Sequence, residues 1–185
     1  MMTELSLNVL DVVQNSIRAD ADFIKIQVEV NNEQDRLTIA ISDNGCGMTA
    51  EQTAKAEDPF YTSRTTRPVG LGVPFFKLAA EATGGEFSID SEPGRGTEIT
   101  AVFVLSHIDR MPLGDMTSTV HALITLNTKI DFIYIYKVDE KSFTLDTREF
   151  REILGDVPFD VPEVSTYIKE YLKENQSEID AGRIF

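Results

Sequence analysis

Asp43-Asn44-Gly45-Cys46-Gly47-Met48 follows directly on the stretch Leu37-Thr38-Ile39-Ala40-Ile41-Ser42. Alternation of apolar and polar residues predicts a half-buried strand, so the first string is the turn that leaves it. Further on, Val69-Gly70-Leu71-Gly72 opens an amphipathic helical stretch. Two glycine-bearing turns of this kind in one small domain point to a nucleotide held by backbone and carboxylate, without a P-loop. An acid at a strand end can accept a hydrogen bond from an amino group such as that of adenine. Glycines beside it let the backbone pass close to a flat ring. Alone, the D-x-G-x-G string is weak, because turns after strands are rich in Asp, Asn and Gly.

The flanking sequence supplies the context. Leu7, Leu10, Val13 and Ile17 recur at helical spacing and predict a helix over 5–19. Phe23, Ile24, Ile26, Val28 and Val30 predict a strand over 23–30, joined by the polar turn 31–35 to the strand 37–42 as a hairpin. Thr49 heads a short helix over 49–56 as its N-cap. Residues 57–69 lack periodicity and form a loop, and 70–83 are helical up to the stop at Gly84-Gly85. Strands over 87–90 and 98–105 are joined by the turn Glu92-Pro93-Gly94-Arg95-Gly96-Thr97. This order predicts an α/β (α+β) two-layer sandwich with helices on one face of a mixed sheet.

After Ser106 the pattern restarts: a helix over 113–126, strands over 131–138 and 142–145, and helices over 147–154 and 162–175. The expected organisation is therefore a domain over 1–105 and a small α/β unit over 106–185, with a loose tail over 177–185. The strand Ile133-Tyr134-Ile135-Tyr136 fits an ordinary sheet core, or pairing across a homodimer or against a partner.

Composition excludes several classes. The chain of 185 residues is 42% hydrophobic and 26% charged, as folded globular proteins are. A net charge of −14, spread over both halves, opposes binding to nucleic acid or an anionic membrane. One cysteine forms no intrachain disulfide, which suits a reducing compartment. Met1-Met2-Thr3-Glu4-Leu5 has neither a basic n-region nor an apolar h-region. No apolar run approaches the roughly 20 residues that span a bilayer, so a cytoplasmic protein is expected.

On the first helix Asp11 and Asn15 are four residues apart and share a face. Asn15 offers a neutral oxygen suited to Mg²⁺, a hard cation that keeps water and phosphate oxygens as further ligands. Asp11, one turn away, can orient or deprotonate a water or hydroxyl aimed at a γ-phosphate. Arg18 adds a cation for phosphate. The same three residues also fit the solvated face of an ordinary amphipathic helix.

In combination these blocks are recognisable. Asp11-Val12-Val13-Gln14-Asn15-Ser16-Ile17-Arg18-Ala19-Asp20-Ala21, then a strand, then Asp43-Asn44-Gly45-Cys46-Gly47-Met48, resembles the GHKL superfamily of ATPases: gyrase, heat-shock chaperone, histidine kinase and MutL. The resemblance runs over residues 4–105, with four blocks in the family's order. It implies a sandwich of the Bergerat type that binds ATP with Mg²⁺. Asn15 then resembles the Mg²⁺-chelating asparagine, and Asp43 the adenine-binding aspartate, with Gly45, Gly47 and Met48 in its box. Pro59-Phe60-Tyr61-Thr62-Ser63-Arg64 is similar to the kinase-type block before the ATP lid, which brings Phe60, Thr62 and Arg64 toward nucleotide. Gly70, Leu71 and Gly72 resemble the second glycine box, whose helix start meets the phosphates. Thr97 resembles the closing-turn residue near adenine.

The chain also departs from the family pattern. Pro68 stands where kinases carry a further glycine. Asp11 stands where gyrase and MutL carry the glutamate base, one methylene longer. Arg18 matches the kinase branch rather than MutL. The resemblance implies a stand-alone ATP-binding protein, a protein kinase or slow Mg²⁺-dependent ATPase acting with a protein partner. The alternative is a non-catalytic nucleotide-binding module that signals through residues 106–185.

One more string has a kinase look. Ser106-His107-Ile108-Asp109-Arg110-Met111-Pro112-Leu113 carries the H-x-x-R-x-P-L spacing of a sensor-kinase phosphoacceptor box, with His107 as acceptor. Against it stand its place after the ATP domain, Ile108 where an acid is usual, and the strands that follow.

Overall fold

In the computed structural model, which describes residues 3–58 and 72–185, six strands form one sheet in the order β3-β4-β2-β1-β5-β6. The helix α1 (Leu5–Arg18) precedes the hairpin β1 (Phe23–Asn31) and β2 (Arg36–Asp43). Then come α2 (Ala50–Ala56), α3 (Gly72–Glu81) and the hairpin β3 (Glu86–Glu92) and β4 (Gly96–Val104). Residues beyond 106 add α4 (Met116–Leu126), β5 (Asp131–Val138), β6 (Lys141–Asp146), α5 (Thr147–Leu154) and α6 (Pro162–Asp180).

Period-two burial decides the layering. Ile24, Ile26, Val28 and Val30 of β1 are fully buried and alternate with half-exposed neighbours, as do Leu37, Ile39 and Ile41 of β2. Over this apolar face α3 packs on β3 and β4, α1 on β2, and α4 and α6 on β5, so the helices run α3-α1-α4-α6 across the sheet. Among the described residues no helix is long and apolar enough to cross a membrane.

Among the described residues all strand pairs are antiparallel except one: β1 and β5 pair in parallel, Phe23 with Asp131 through Val30 with Val138. The hairpin β5–β6 thereby extends the same sheet beyond residue 106. With β1 on one side and β6 on the other, β5 has both edges paired. Tyr134 and Tyr136 point into the core, so the strand does not pair edgewise across a dimer.

The expected loose tail is corrected. The last helix continues to Asp180, whose buried carboxylate accepts from the Tyr136 hydroxyl at 3.3 Å and from Gly182 N–H at 2.8 Å. The Phe185 carbonyl accepts from Leu113 N–H at 2.6 Å. The polar composition of 175–180 hides these anchors, because one inward carboxylate and one backbone bond leave no periodic trace.

The turn between β3 and β4 is shorter than expected. Glu92 still pairs with Gly96, leaving only three residues between the strands. The start of α1 has no side-chain cap; its first N–H groups, Leu5 and Ser6, donate instead to the carbonyls of Pro112 and Leu113, each at 2.9 Å. Segments far apart in sequence thus satisfy a helix end that local residues leave open.

Candidate functional site

Three inward-facing positions in neighbouring strands change from apolar to polar at one end of the sheet. Ile41, Ile99 and Ile89 lie side by side in β2, β4 and β3. Two residues further along, the same three columns carry Asp43, Thr97 and Ser91. This polar row closes the apolar core beneath the C-terminal end of α1.

Its hydrogen bonds fix the carboxylate. Asp43 accepts from Ser16 Oγ at 2.5 Å on one oxygen and from Gly45 N–H at 2.9 Å on the other. A carboxylate has about four lone-pair positions, so acceptor capacity remains on both oxygens. Beside it Thr97 and Ser91 share a hydroxyl–hydroxyl hydrogen bond of 2.8 Å, and Ser91 Oγ accepts from Met48 N–H at 2.9 Å. Ser16 and Ser91 were not legible as site residues in the sequence. Their one signal was a polar residue in an inward column, Ser16 after Leu5, Val9 and Val12 and Ser91 after Phe87 and Ile89.

The loop after β2 is clamped from both sides. Asn44 accepts from the N–H groups of Asp22 and Phe23 at 3.1 and 3.0 Å. Cys46 N–H donates to Ala19 O, and Cys46 O accepts from Gly94 N–H, both at 2.8 Å. What the missing side chains of Gly45 and Gly47 admit here is protein backbone. A Cβ on Gly45 would lie 2.7 Å from Ala19 O, and one on Gly47 would overlap the Glu92 carbonyl, at a φ of +66°. The glycines bring α1, the loop and the β3–β4 turn into contact and so hold Asp43 in place.

Along α1, Asn15 is half-buried, with Asp11 and Arg18 exposed on its flank. Arg18 donates to Asn15 Oδ1 at 3.2 Å. The start of α3 meets this flank at Asp11: a Cβ on Gly72 would sit 2.8 Å from the Asp11 Cβ. The positive end of the α3 dipole therefore lies beside the acid. Lys77 of α3 pairs with Glu57, just past α2, at 2.6 Å; that hydrogen bond raises the Lys77 pKa. Asn15, with its side-chain oxygen, suits Mg²⁺ in donor chemistry, as does the Asp11 carboxylate on the same flank. No cluster of three or more His, Cys, Asp or Glu able to hold a metal occurs among the described residues.

A cleft of about 300 Å³ opens at the same sheet end, reaching Asp43 and Thr97, the lower limit of ordinary ligand pockets. Its lining also carries Asp90, Glu92 and Glu98, with Arg95 paired to Glu92 at 2.6 Å. Three acids against one arginine leave this lining net negative, whereas the α1 side offers Arg18.

Of the residues singled out in the sequence, Asp43, Gly45, Gly47, Met48 and Thr97 converge at the sheet end. Asp11, Asn15, Arg18 and Gly72 lie along α1 and the start of α3. Phe60, Thr62, Arg64, Gly70 and Leu71 lie outside the described residues. His107 falls in the turn after β4, next to Ser106, which bonds Asp35 at the far end of the sheet. The register runs seven residue steps from Asp43–Thr97 to Arg36–Val104, roughly 23 Å at about 3.3 Å per residue. The fold does not bring His107 to the Asp43 corner.

Comparison with known proteins shows which family the chain resembles in sequence and fold. Residues 3–107 match the family model described as histidine kinase-, DNA gyrase B- and HSP90-like ATPase. The sensor protein kinase FleS of Pseudomonas aeruginosa is 37% identical over 105 residues, 57% of this chain and 25% of that protein. The sensor histidine kinase WalK of Bacillus subtilis is 31% identical over 100 residues, 50% of this chain and 16% of that protein. The chain thus spans a quarter or less of the length of these relatives. Among solved structures, the N-terminal domain of a DNA repair protein superposes with a TM-score of 0.54 at 16% identity, covering 78% of this chain and 53% of that one. That likeness concerns the fold.

Proposed function

Because the chain belongs to the family of histidine kinase-, DNA gyrase B- and HSP90-like ATPases, we propose that it binds ATP with Mg²⁺ at the α1 end of the sheet. We further propose that it acts with a protein partner as a protein kinase or slow ATPase. The observation that carries this reading is the Asp43 carboxylate, held on both oxygens by Ser16 and Gly45 and aligned with Thr97. A carboxylate set this firmly, with acceptor capacity to spare, suits the amino group of adenine.

With adenine at Asp43, the phosphates extend along α1 toward the start of α3, away from the acidic lining of Asp90, Glu92 and Glu98. Asn15 and phosphate oxygens would hold Mg²⁺, which would supply charge neutralisation for phosphoryl transfer. Arg18 and the N-terminal end of α3 bind phosphate oxygens, joined by Arg64 and Gly70 as the family resemblance implies. Asp11 accepts the proton of the attacking hydroxyl or water.

The test is release or transfer of γ-phosphate by the purified protein, alone and with candidate partners, together with Asp11→Asn. Turnover at least tenfold lower at near-equal ATP affinity is expected for the variant. Equal activity refutes Asp11 as base. Nucleotide binding with no turnover under any condition makes the protein a nucleotide-set binding module that signals through residues 106–185.

A further inference from the structure

One polar side chain of α1 lies wholly inside the protein with no bonding partner among the described residues. Asn8 is fully buried, and neither its amide nitrogen nor its oxygen has a partner among the described residues. Buried polar groups are almost always hydrogen-bonded, because they lose water on burial and must recover an equivalent. Asparagine is also a weak helix former, and an apolar residue would fill this position at less cost.

Its place on the helix gives the reason. Asn8, Asp11 and Asn15 follow at three and then four residues and occupy one flank of α1. That flank faces α3, since Gly72 packs against Asp11. The Asp11 carboxylate, exposed and one turn from Asn8, is itself without a partner among the described residues. An unpartnered donor and an unpartnered acceptor at this helical spacing are within reach of each other once the acid turns inward.

We propose that Asn8 is a positioning residue of the nucleotide site: with nucleotide bound, its carboxamide donates to the Asp11 carboxylate and fixes that carboxylate toward the attacking group. The inference rests on the ATP site proposed above. The carboxamide has no other partner among the described residues, so this bond offsets the cost of its burial. Asn8 acts through Asp11 and touches neither nucleotide nor metal.

The experiment uses the full chain with selectively ¹⁵N-labelled asparagine, Mg²⁺ and a non-hydrolysable ATP analogue. The Asn8 side-chain signal, assigned by its loss in Asn8→Leu, should shift downfield on saturation in wild type and stay in place in Asp11→Ala. Asn8→Leu should be at least as heat-stable as wild type without nucleotide, with kcat about tenfold lower and KM within twofold. An Asn8 signal unmoved by saturating analogue, or Asn8→Leu with wild-type kcat, overturns the assignment. Wild-type protein that takes up no nucleotide overturns the site itself and this proposal with it. Binding without turnover removes only the catalytic reading, and the NMR shift then decides Asn8 alone.

Discussion

The hydroxyl of Ser16 donates to the Asp43 carboxylate at 2.5 Å, tying the first helix to the end of the second strand across 27 residues of chain. Gly45 N–H occupies the other oxygen. An amide in place of this carboxylate can keep its oxygen on Gly45 and turn its NH₂ toward Ser16, whose hydroxyl reverses to accept. The fold then survives while the amino group of adenine meets a donor.

Asp43→Asn should therefore melt within a few degrees of wild type yet bind ATP about 100-fold more weakly, on the order of 3 kcal/mol. Ser16→Ala, which removes only the support, should cost about tenfold in affinity. Calorimetric titration beside thermal melts measures both, and retained affinity in Asp43→Asn would overturn the adenine assignment.

Gly96 and Gly94 separate close packing from mere turn geometry. Both have positive φ, +99° and +78°. A Cβ on Gly96 would overlap the Asp43 carbonyl, whereas one on Gly94 meets nothing within 4 Å. Gly96→Ala should destabilise by roughly 3 kcal/mol or more and disturb the Asp43–Thr97 pairing. Gly94→Ala should cost only about 1 kcal/mol. Urea melts of the two variants check this, and equal losses would show that the Asp43 contact is unimportant.

His121 on α4 bonds the carbonyl and hydroxyl of Ser165 on α6 through Nε2, at 3.0 and 2.9 Å. Burial pushes its imidazole below the ordinary histidine value, and nearby Lys169 acts in the same direction against the Ser165 bond. Below about pH 6.5 the unfolded chain takes up a proton that the folded protein resists. Stability contributed by this site is present above that pH and falls as pH drops toward the lowered folded value. Urea melts from pH 7.5 to 5.5 should show the decline in wild type and a shallower one in His121→Gln. Identical slopes would exclude His121 as the source.

Removal of residues 176–185 tests the anchored tail. It takes away the Asp180 partner of the Tyr136 hydroxyl and the Phe185 carbonyl that accepts from Leu113. A buried hydroxyl without a partner costs about 1–3 kcal/mol, and lost packing by Ile179 and Phe185 adds to it. The shortened chain should be less stable by on the order of 3 kcal/mol in denaturant melts. An unchanged midpoint would mean the tail contributes nothing.

Local features were legible in the sequence. The Thr49 cap carries a full capping box with Gln52, and β5 spans the stretch its alternation predicts. The approach of Gly72 to Asp11 was not legible, since no periodicity links positions 61 residues apart. Nor was the burial of Asn8, which sits in sequence among residues of an unremarkable amphipathic helix.

By itself the sequence determined the order and approximate bounds of the helices and strands and the family blocks around Asp11–Asn15, Asp43 and Gly70–Gly72. All of these depend on neighbours within a turn or two, where side-chain period and backbone preference act directly. Tertiary structure alone decided that Ser16 reaches Asp43, that Thr97 and Ser91 complete its row, and that β5 joins β1 in parallel. Those contacts depend on register and helix docking, which are set by burial of the whole apolar face, and no local pattern encodes which distant partner that burial selects.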